Sequence, residues 1–345
     1  MGLYSLYTRV LLRDVRPRGL NRLMSPRKRF EQVFFCLALA LLQLGLGRPV
    51  EAAEITREML RGEDFRGTGL AKFAVHDYDL KPEMIYAVNY GLTNLVSAHQ
   101  QAFRQRVPSA FVIRYRVFGR FEDYEKYSVQ KYNKQIDKRM LGYFSPRGKE
   151  IVTWRQEAAW RLLPTMQHEG CHAIMDAMFG QLPFWMIEGS ADWLGEAPAW
   201  LKQNSQTGEL LPVGRDQQMR WLKLDQLRSE GKLPDMTKYL ISDDYKVWEK
   251  MFGGDIGMGY DIGWSVFDFF IKSGERAGVN WPQEIMAEAV HRSQVSSTPP
   301  EAAFAVTLNS KWPSGVAMFE KGWHSWIRIN AEAERAKIKA ARSKP

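Results

Sequence analysis

Between Pro82 and Val107 the residues Met84, Ile85, Val88, Leu92, Leu95, Val96 and Phe103 recur at helical spacing, and Pro108 ends the run. The pattern predicts one amphipathic helix. The next segment, Ala110 to Phe118, alternates, is rich in β-branched and aromatic residues and closes at Gly119, so it reads as a strand. A helix from Phe121 to about Gln135 follows. Gly142-Tyr-Phe144 and Glu150-Ile-Val-Thr-Trp154 flank the turn signal Ser145-Pro-Arg-Gly148 and predict a hairpin. Beyond it the period becomes helical, from Ala158 to Phe179, from Pro183 to about Trp200, and in further helices to the C-terminus. Gly253, Gly254, Gly257 and Gly259 read as a loop leading to a helix from Asp261 to Ile271, and their spacing does not fit a dinucleotide fingerprint. The tail from Ala331, rich in Ala, Lys and Arg, reads as a frayed, solvated helix. The expected class is α+β: a small α/β sheet portion, then a mainly helical half.

Composition is ordinary for a globular protein, 45% hydrophobic and 25% charged over 345 residues, but the formal net charge of +9 calls for a look at its distribution. The first 52 residues hold nine of the 48 Lys/Arg and three of the 39 Asp/Glu, leaving 39 basic against 36 acidic residues from Ala53 onward. The remainder is near balance and carries no recognised nucleic-acid motif, so a nucleic-acid partner is not expected. The basic leader has the layout of a secretory signal: Arg27-Lys28-Arg29, an apolar run from Val33 to Leu46, then a small-residue exit at Val50-Glu-Ala52. Gly45, Gly47 and Pro49 break the run short of the roughly 20 residues a transmembrane helix needs. Residues 24–52 are therefore read as a signal peptide, residues 1–23 as an over-extended start, 53–330 as the catalytic domain and 331–345 as the tail; an uncleaved anchor is the alternative. The chain is expected to be exported, to a periplasmic, secreted or envelope location, with no stable membrane span after cleavage. Cys36 leaves with the leader, and the remaining Cys171 allows no intramolecular disulfide.

Within the segment read as a helix lies His168-Glu169-Gly170-Cys171-His172. Residues four apart share a helix face, so both imidazoles can reach one Zn²⁺, with Glu169 beside them as the base for an attacking water. With six histidines in the chain, HExxH arises by chance in fewer than about one such chain in a hundred. The alternative is a buried helix whose histidines are satisfied by backbone or carboxylates. Zinc wants a third protein ligand, and Glu188 follows sixteen residues after His172. A turn at Gly180 to Pro183 would fold the second helix back and bring Glu188 over the histidines. Asp192, one helical turn on, is placed to bond the outer nitrogen of a ligand histidine or to be a surface carboxylate. Trp185, Trp193 and Trp200 are read as core rather than as a glycan platform, and His76, His99, His291 and His324, lacking ligand-spaced partners, as structural or surface residues.

HExxH followed by Trp185-Met-Ile-Glu188-Gly189-Ser-Ala191 resembles the gluzincin metallopeptidases, and more nearly the peptidase-MA-like domain of exported bacterial proteins. There, too, a strand, a helix and a small hairpin like that at Gly142 to Pro146 precede the metal helix. The resemblance covers about residues 85 to 275. It implies a zinc peptidase acting on peptide or protein substrates, with a later tyrosine assisting the oxyanion. Tyr260 matches that position best, and Tyr245 is the second candidate. No Gly-x-Met-Glu-Asn segment precedes the metal helix, so aminopeptidase activity is not implied. A non-enzymatic extracellular binding or scaffold protein retaining the gluzincin fold is the competing reading.

Overall fold

The computed structural model describes residues 65–156, 161–195, 202–203, 210–211, 215–277 and 281–342, all within the second of two compact units, residues 55–345. The leader and its expected cleavage point lie outside the described residues, as does Trp200.

The fold is α+β. A four-stranded sheet is built from β1 (Ala71–His76), β2 (Ile113–Phe118), β3 (Gly142–Ser145) and β4 (Glu150–Trp154), in the order β1-β2-β4-β3. The first three neighbours run parallel, and β3 pairs antiparallel with β4 as the expected hairpin, Gly142 opposite Thr153 and Ser145 opposite Glu150. Strand alternation divides the side chains between two cores. Ile113, Tyr115, Val117 and Ile151 face the large core, shared with α1 (Pro82–Phe103) and α3 (Leu162–Phe179), while Phe118, Val152 and Tyr143 face a smaller one with Tyr124 of α2 (Phe121–Tyr132). The two helices preceding the hairpin end earlier than the apolar pattern suggested. Arg104 and Asn133 each take a left-handed conformation at φ 53°, and for Asn133 this turns its amide back onto Ser128 and Val129 carbonyls.

β1 was not foreseen. Neither was the short antiparallel pair β5 (Lys202–Gln203) and β6 (Leu210–Leu211). The helical half comprises α4 (Phe184–Gly195), α5 (Arg215–Ser229), α6 (Met236–Leu240), α7 (Tyr245–Met251), α8 (Ile256–Ala277), α9 (Trp281–Ser296), α10 (Pro300–Lys311) and α11 (Gly315–Arg342). The structure corrects two expectations in this half. The glycine run is loop only at Gly253 and Gly254, with φ 60° and 96°; Gly257 and Gly259 lie inside α8. A Cβ at Gly259 would fall 2.2 Å from the buried Trp248 ring, so close packing outweighs glycine's roughly 1 kcal/mol helix penalty. The tail is the mostly exposed helix expected, but it is continuous with the fold and not frayed: α11 runs unbroken to Arg342, Ala331 is buried, and Arg335 pairs with buried Asp225 at 2.6 Å.

Packing between α4 and α8 positions the second metal helix. A Cβ at Gly189 would come within 2.4 Å of the Gly263 carbonyl oxygen, so the helices cross backbone against backbone, next to Glu188 on one side and near Tyr260 on the other. Asp268 of α8 fixes the same layer, accepting the indole N–H of Trp193 at 2.7 Å and of Trp326 at 2.8 Å. Trp185 and Trp193 are buried, as expected of core residues.

Candidate metal centre

α3 is anchored by the buried side chains Leu162, Met166, Ile174, Met175 and Met178 and by the Tyr115 hydroxyl, which donates to the Met166 carbonyl at 2.8 Å. This rigid seat aims His168 and His172 the same way, their ring centroids 4.8 Å apart and nearly perpendicular. After Gly180 the chain reverses, and α4 packs back along α3. Glu188 Oε2 thereby comes 3.4 Å from His168 Nε2 and 3.7 Å from His172 Nε2. Glu169 Oε2 is 3.9 Å from His172 Nε2 and accepts the Phe144 backbone N–H at 2.8 Å. His168, Glu169 and His172 each offer a ligand atom within 4.8 Å of the others, a group that could hold a metal ion.

Glu188 stands outside that triplet, yet its spacing suits a ligand better than that of Glu169. Zinc bonds of roughly 2.0–2.2 Å in tetrahedral array put neighbouring ligand atoms about 3.4 Å apart. Glu188 Oε2 is also buried and faces both imidazoles, whereas the near oxygen of Glu169 is already held by the Phe144 N–H. A buried carboxylate is costly unless something neutralises it.

The surroundings are acidic and aromatic. Tyr245 donates its hydroxyl to Glu188 Oε1 at 2.7 Å, and Tyr260 donates to the Tyr245 hydroxyl at 3.1 Å. Tyr260 is thus one hydrogen bond further from Glu188 than Tyr245 is. Asp192 Oδ1 lies 3.5 Å from His168 Nδ1, and its other oxygen accepts from Arg220 Nη2 at 2.9 Å. Arg220 also reaches Asp261 at 3.1 Å, itself 2.8 Å from Lys223. Burial works against a charged His168, but the hydrogen bond to Glu188 and the charges of Glu169, Glu188 and Asp192 outweigh it and lift its pKa to about 10. Glu188 is the mirror case: burial would raise it, but His172 and His168, with the Tyr245 hydrogen bond, bring it down to about 2. Without a metal, the pocket thus gathers positive charge on its own histidine. Burial, with Glu169 and Asp192, pushes the Cys171 thiol well up, so the cysteine between the two histidines stays protonated and is a packing residue.

The remaining histidines lie apart from this group. His76 stacks on Phe118 and contacts Arg116 at 3.0 Å, and His99 is buried, with Nδ1 2.8 Å from the Leu95 carbonyl and a pKa brought down to about 4, chiefly by burial. His291 is exposed and His324 half-buried. Sequence reasoning missed Arg220 and the cluster around Glu150, neither of which carries a local spacing signal. No protein-family model and no curated protein matches the chain.

Proposed function

We propose that the chain is an exported zinc-dependent hydrolase, a metallopeptidase, in which His168, His172 and Glu188 hold the ion and Glu169 is the general base. The observation that carries this is the convergence of the buried Glu188 Oε2 on the two imidazole nitrogens, at 3.4 and 3.7 Å. Two imidazoles and one carboxylate are a donor set that suits zinc and leaves a fourth position for water or substrate. Bound zinc would supply Lewis acidity, lowering the pKa of a water to about 7 and polarising the scissile carbonyl.

The chain's own groups do the rest. The Phe144 N–H fixes one oxygen of Glu169, which leaves the other to take a proton from water and return it to the leaving amine. Asp192, held by Arg220, orients His168 through its outer nitrogen. Tyr245 steadies Glu188, and Tyr260, whose hydroxyl donates to Tyr245 at rest, would turn that proton to a developing oxyanion. A cavity of about 480 Å³ lined by Phe111, Val112, Phe144, Ala173 and Asp176 opens beside this group, with none of the proposed ligands in its wall. The HExxH and Trp-x-x-Glu-Gly-x-Ala resemblance points the same way. Substitution Glu169→Gln is expected to retain zinc while lowering peptide turnover by about 10²–10⁴-fold. Undiminished turnover in that variant rules out Glu169 as the base.

A further inference from the structure

A second cluster of charged side chains, sharing no residue with the metal centre, lies where α11 packs on α5. A cavity of about 340 Å³ opens there, its wall built from Arg228 of α5 and from Glu320, Lys321, His324, Ser325 and Arg328 of α11. The helix period explains the grouping: positions 321, 324, 325 and 328 fall three and four apart, on the flank of the face that buries Phe319, Trp323 and Trp326. Asp225 ties the two helices together, held by Arg228 at 2.8 Å and by Arg335 at 2.6 Å. Arg328 reaches Glu332, one turn along its own helix, at 3.0 Å. Among the described residues no carboxylate lies within ion-pair distance of Lys321, and His324 Nε2 is enclosed without a hydrogen-bond partner.

Arg228, Lys321, Arg328 and a hydroxyl thus share one concave wall with a single described carboxylate, Glu320, whose pKa burial raises. The field around them has the same sign. From Glu320 to Arg342 α11 carries six Lys/Arg against three Asp/Glu. Lys321, Arg328, Arg335 and Arg342, each seven residues on from the last, run along one side of the helix at steps of about 10.5 Å. A cleft lined by one sign of charge concentrates counter-ions, and the pairs that Arg228 and Arg328 already make use only one or two of the five N–H donors of each guanidinium. We propose that this cavity is a binding site for a phosphoryl group, held by the Lys321 ammonium, the Arg228 and Arg328 guanidinium groups and the Ser325 hydroxyl. Donors converging from two helices suit a tetrahedral anion, whose three or four oxygens face several directions, better than a planar carboxylate. The group comes either from a free phosphate ester or from a phospholipid headgroup, and both would meet these donors in the same way. The site stands independently of the metallopeptidase reading.

The test uses the full chain. Inorganic phosphate is titrated by calorimetry into the wild type, Lys321→Met, Lys321→Arg and Lys126→Met, the last removing an exposed cation from α2 as a control for net charge. The wild type is expected to bind phosphate about tenfold more tightly than Lys321→Met, the range of a charge-assisted hydrogen bond. Lys321→Arg should restore most of the difference, and Lys126→Met should match the wild type. The affinity should also persist in His172→Ala, which separates this site from an anion bound at a metal. Flotation with vesicles of phosphatidylcholine alone, and of an equimolar mixture with phosphatidylglycerol, identifies the source of the group. Binding to the mixed vesicles that Lys321→Met removes assigns it to a headgroup, and phosphate binding without such a difference assigns it to a free ester. Whatever the leader contributes is the same in every variant and drops out of the comparison. The proposal is overturned if neither phosphate nor vesicle binding depends on Lys321, or if phosphate binding is lost in His172→Ala.

Discussion

Two buried charge clusters flank the same hairpin, and they are built on opposite terms. Around Glu150, on the α2 face of the sheet, one carboxylate is saturated: Arg116 Nε reaches it at 3.2 Å, the Tyr127 hydroxyl at 2.6 Å and Lys131 at 2.9 Å, and Tyr132 donates as well. At the edge of the other face, Glu169, Glu188 and Asp192 crowd two imidazoles, and the nearest histidine–carboxylate separations are 3.4 to 3.9 Å. The first cluster is complete as folded protein. On the proposed metal-site reading a dication at the centre of the second would balance its carboxylates, and it is this difference that the reading uses to tell a site from a structural ion network.

The sharpest way to break the contrast is to remove one carboxylate from each cluster. Glu150→Ala strips buried Arg116 of this partner and is expected to cost about 3–5 kcal/mol in urea unfolding while leaving metal content unchanged. Glu188→Ala in the metal-free chain is expected to cost clearly less than Glu150→Ala, because Glu169 and Asp192 remain beside His168 to compensate its charge. A large loss there would place Glu188 among the structural ion pairs instead. Next in size is Gly189→Ala. A methyl group against the Gly263 backbone should force α4 from α8 and cost about 1–3 kcal/mol, with a drop in zinc affinity as Glu188 moves; a silent substitution would refute the tight crossing.

Asp192→Asn probes the second cluster. It is expected to weaken zinc binding about 10–100-fold in a chelator competition, with little change in unfolding midpoint. The smallest effect is the pH dependence that Glu150 contributes. Burial would raise the Glu150 pKa, but hydrogen bonds from Tyr127, Tyr132 and Lys131 and the Arg116 charge outweigh it and hold it below the ordinary glutamate value. A depressed folded-state pKa contributes stability above the unfolded value, lost as pH falls through the folded one. The stability gap between wild type and Glu150→Ala should therefore be full at pH 7 and shrink below about pH 4. A gap constant with pH would show that packing, not charge, carries the contribution.

The local features of the molecule were legible in the chain. HExxH on an apolar helix, the turn at Gly180 and the hairpin with its Pro-Arg-Gly turn each declare themselves within twenty residues, because helix and strand periods are local properties. β1 escaped because Ala71-Lys-Phe-Ala-Val-His is short and two of its positions are alanines, which give little contrast between faces. Gly257 and Gly259 read as loop because glycine disfavours helix, and at Gly259 it is the Trp248 ring, distant in the chain's local pattern but packed against it, that overrides this preference. Arg220 and Tyr245 reach the centre from elements far along the chain from His168, and no spacing rule links them to it. Periodicity therefore exposed the two helices and Asp192 one turn beyond Glu188, the resemblance offered Tyr260 and Tyr245, and Arg220 emerged only from tertiary packing.

The central claim, a three-ligand centre of His168, His172 and Glu188, is tested most directly by metal content. The wild-type chain from Ala53, His172→Ala and Glu188→Ala are prepared alike and measured by elemental mass spectrometry. The account predicts close to one zinc per wild-type chain and loss of it in both variants. Absence of metal from the wild type, or zinc that is indifferent to either substitution, would contradict it.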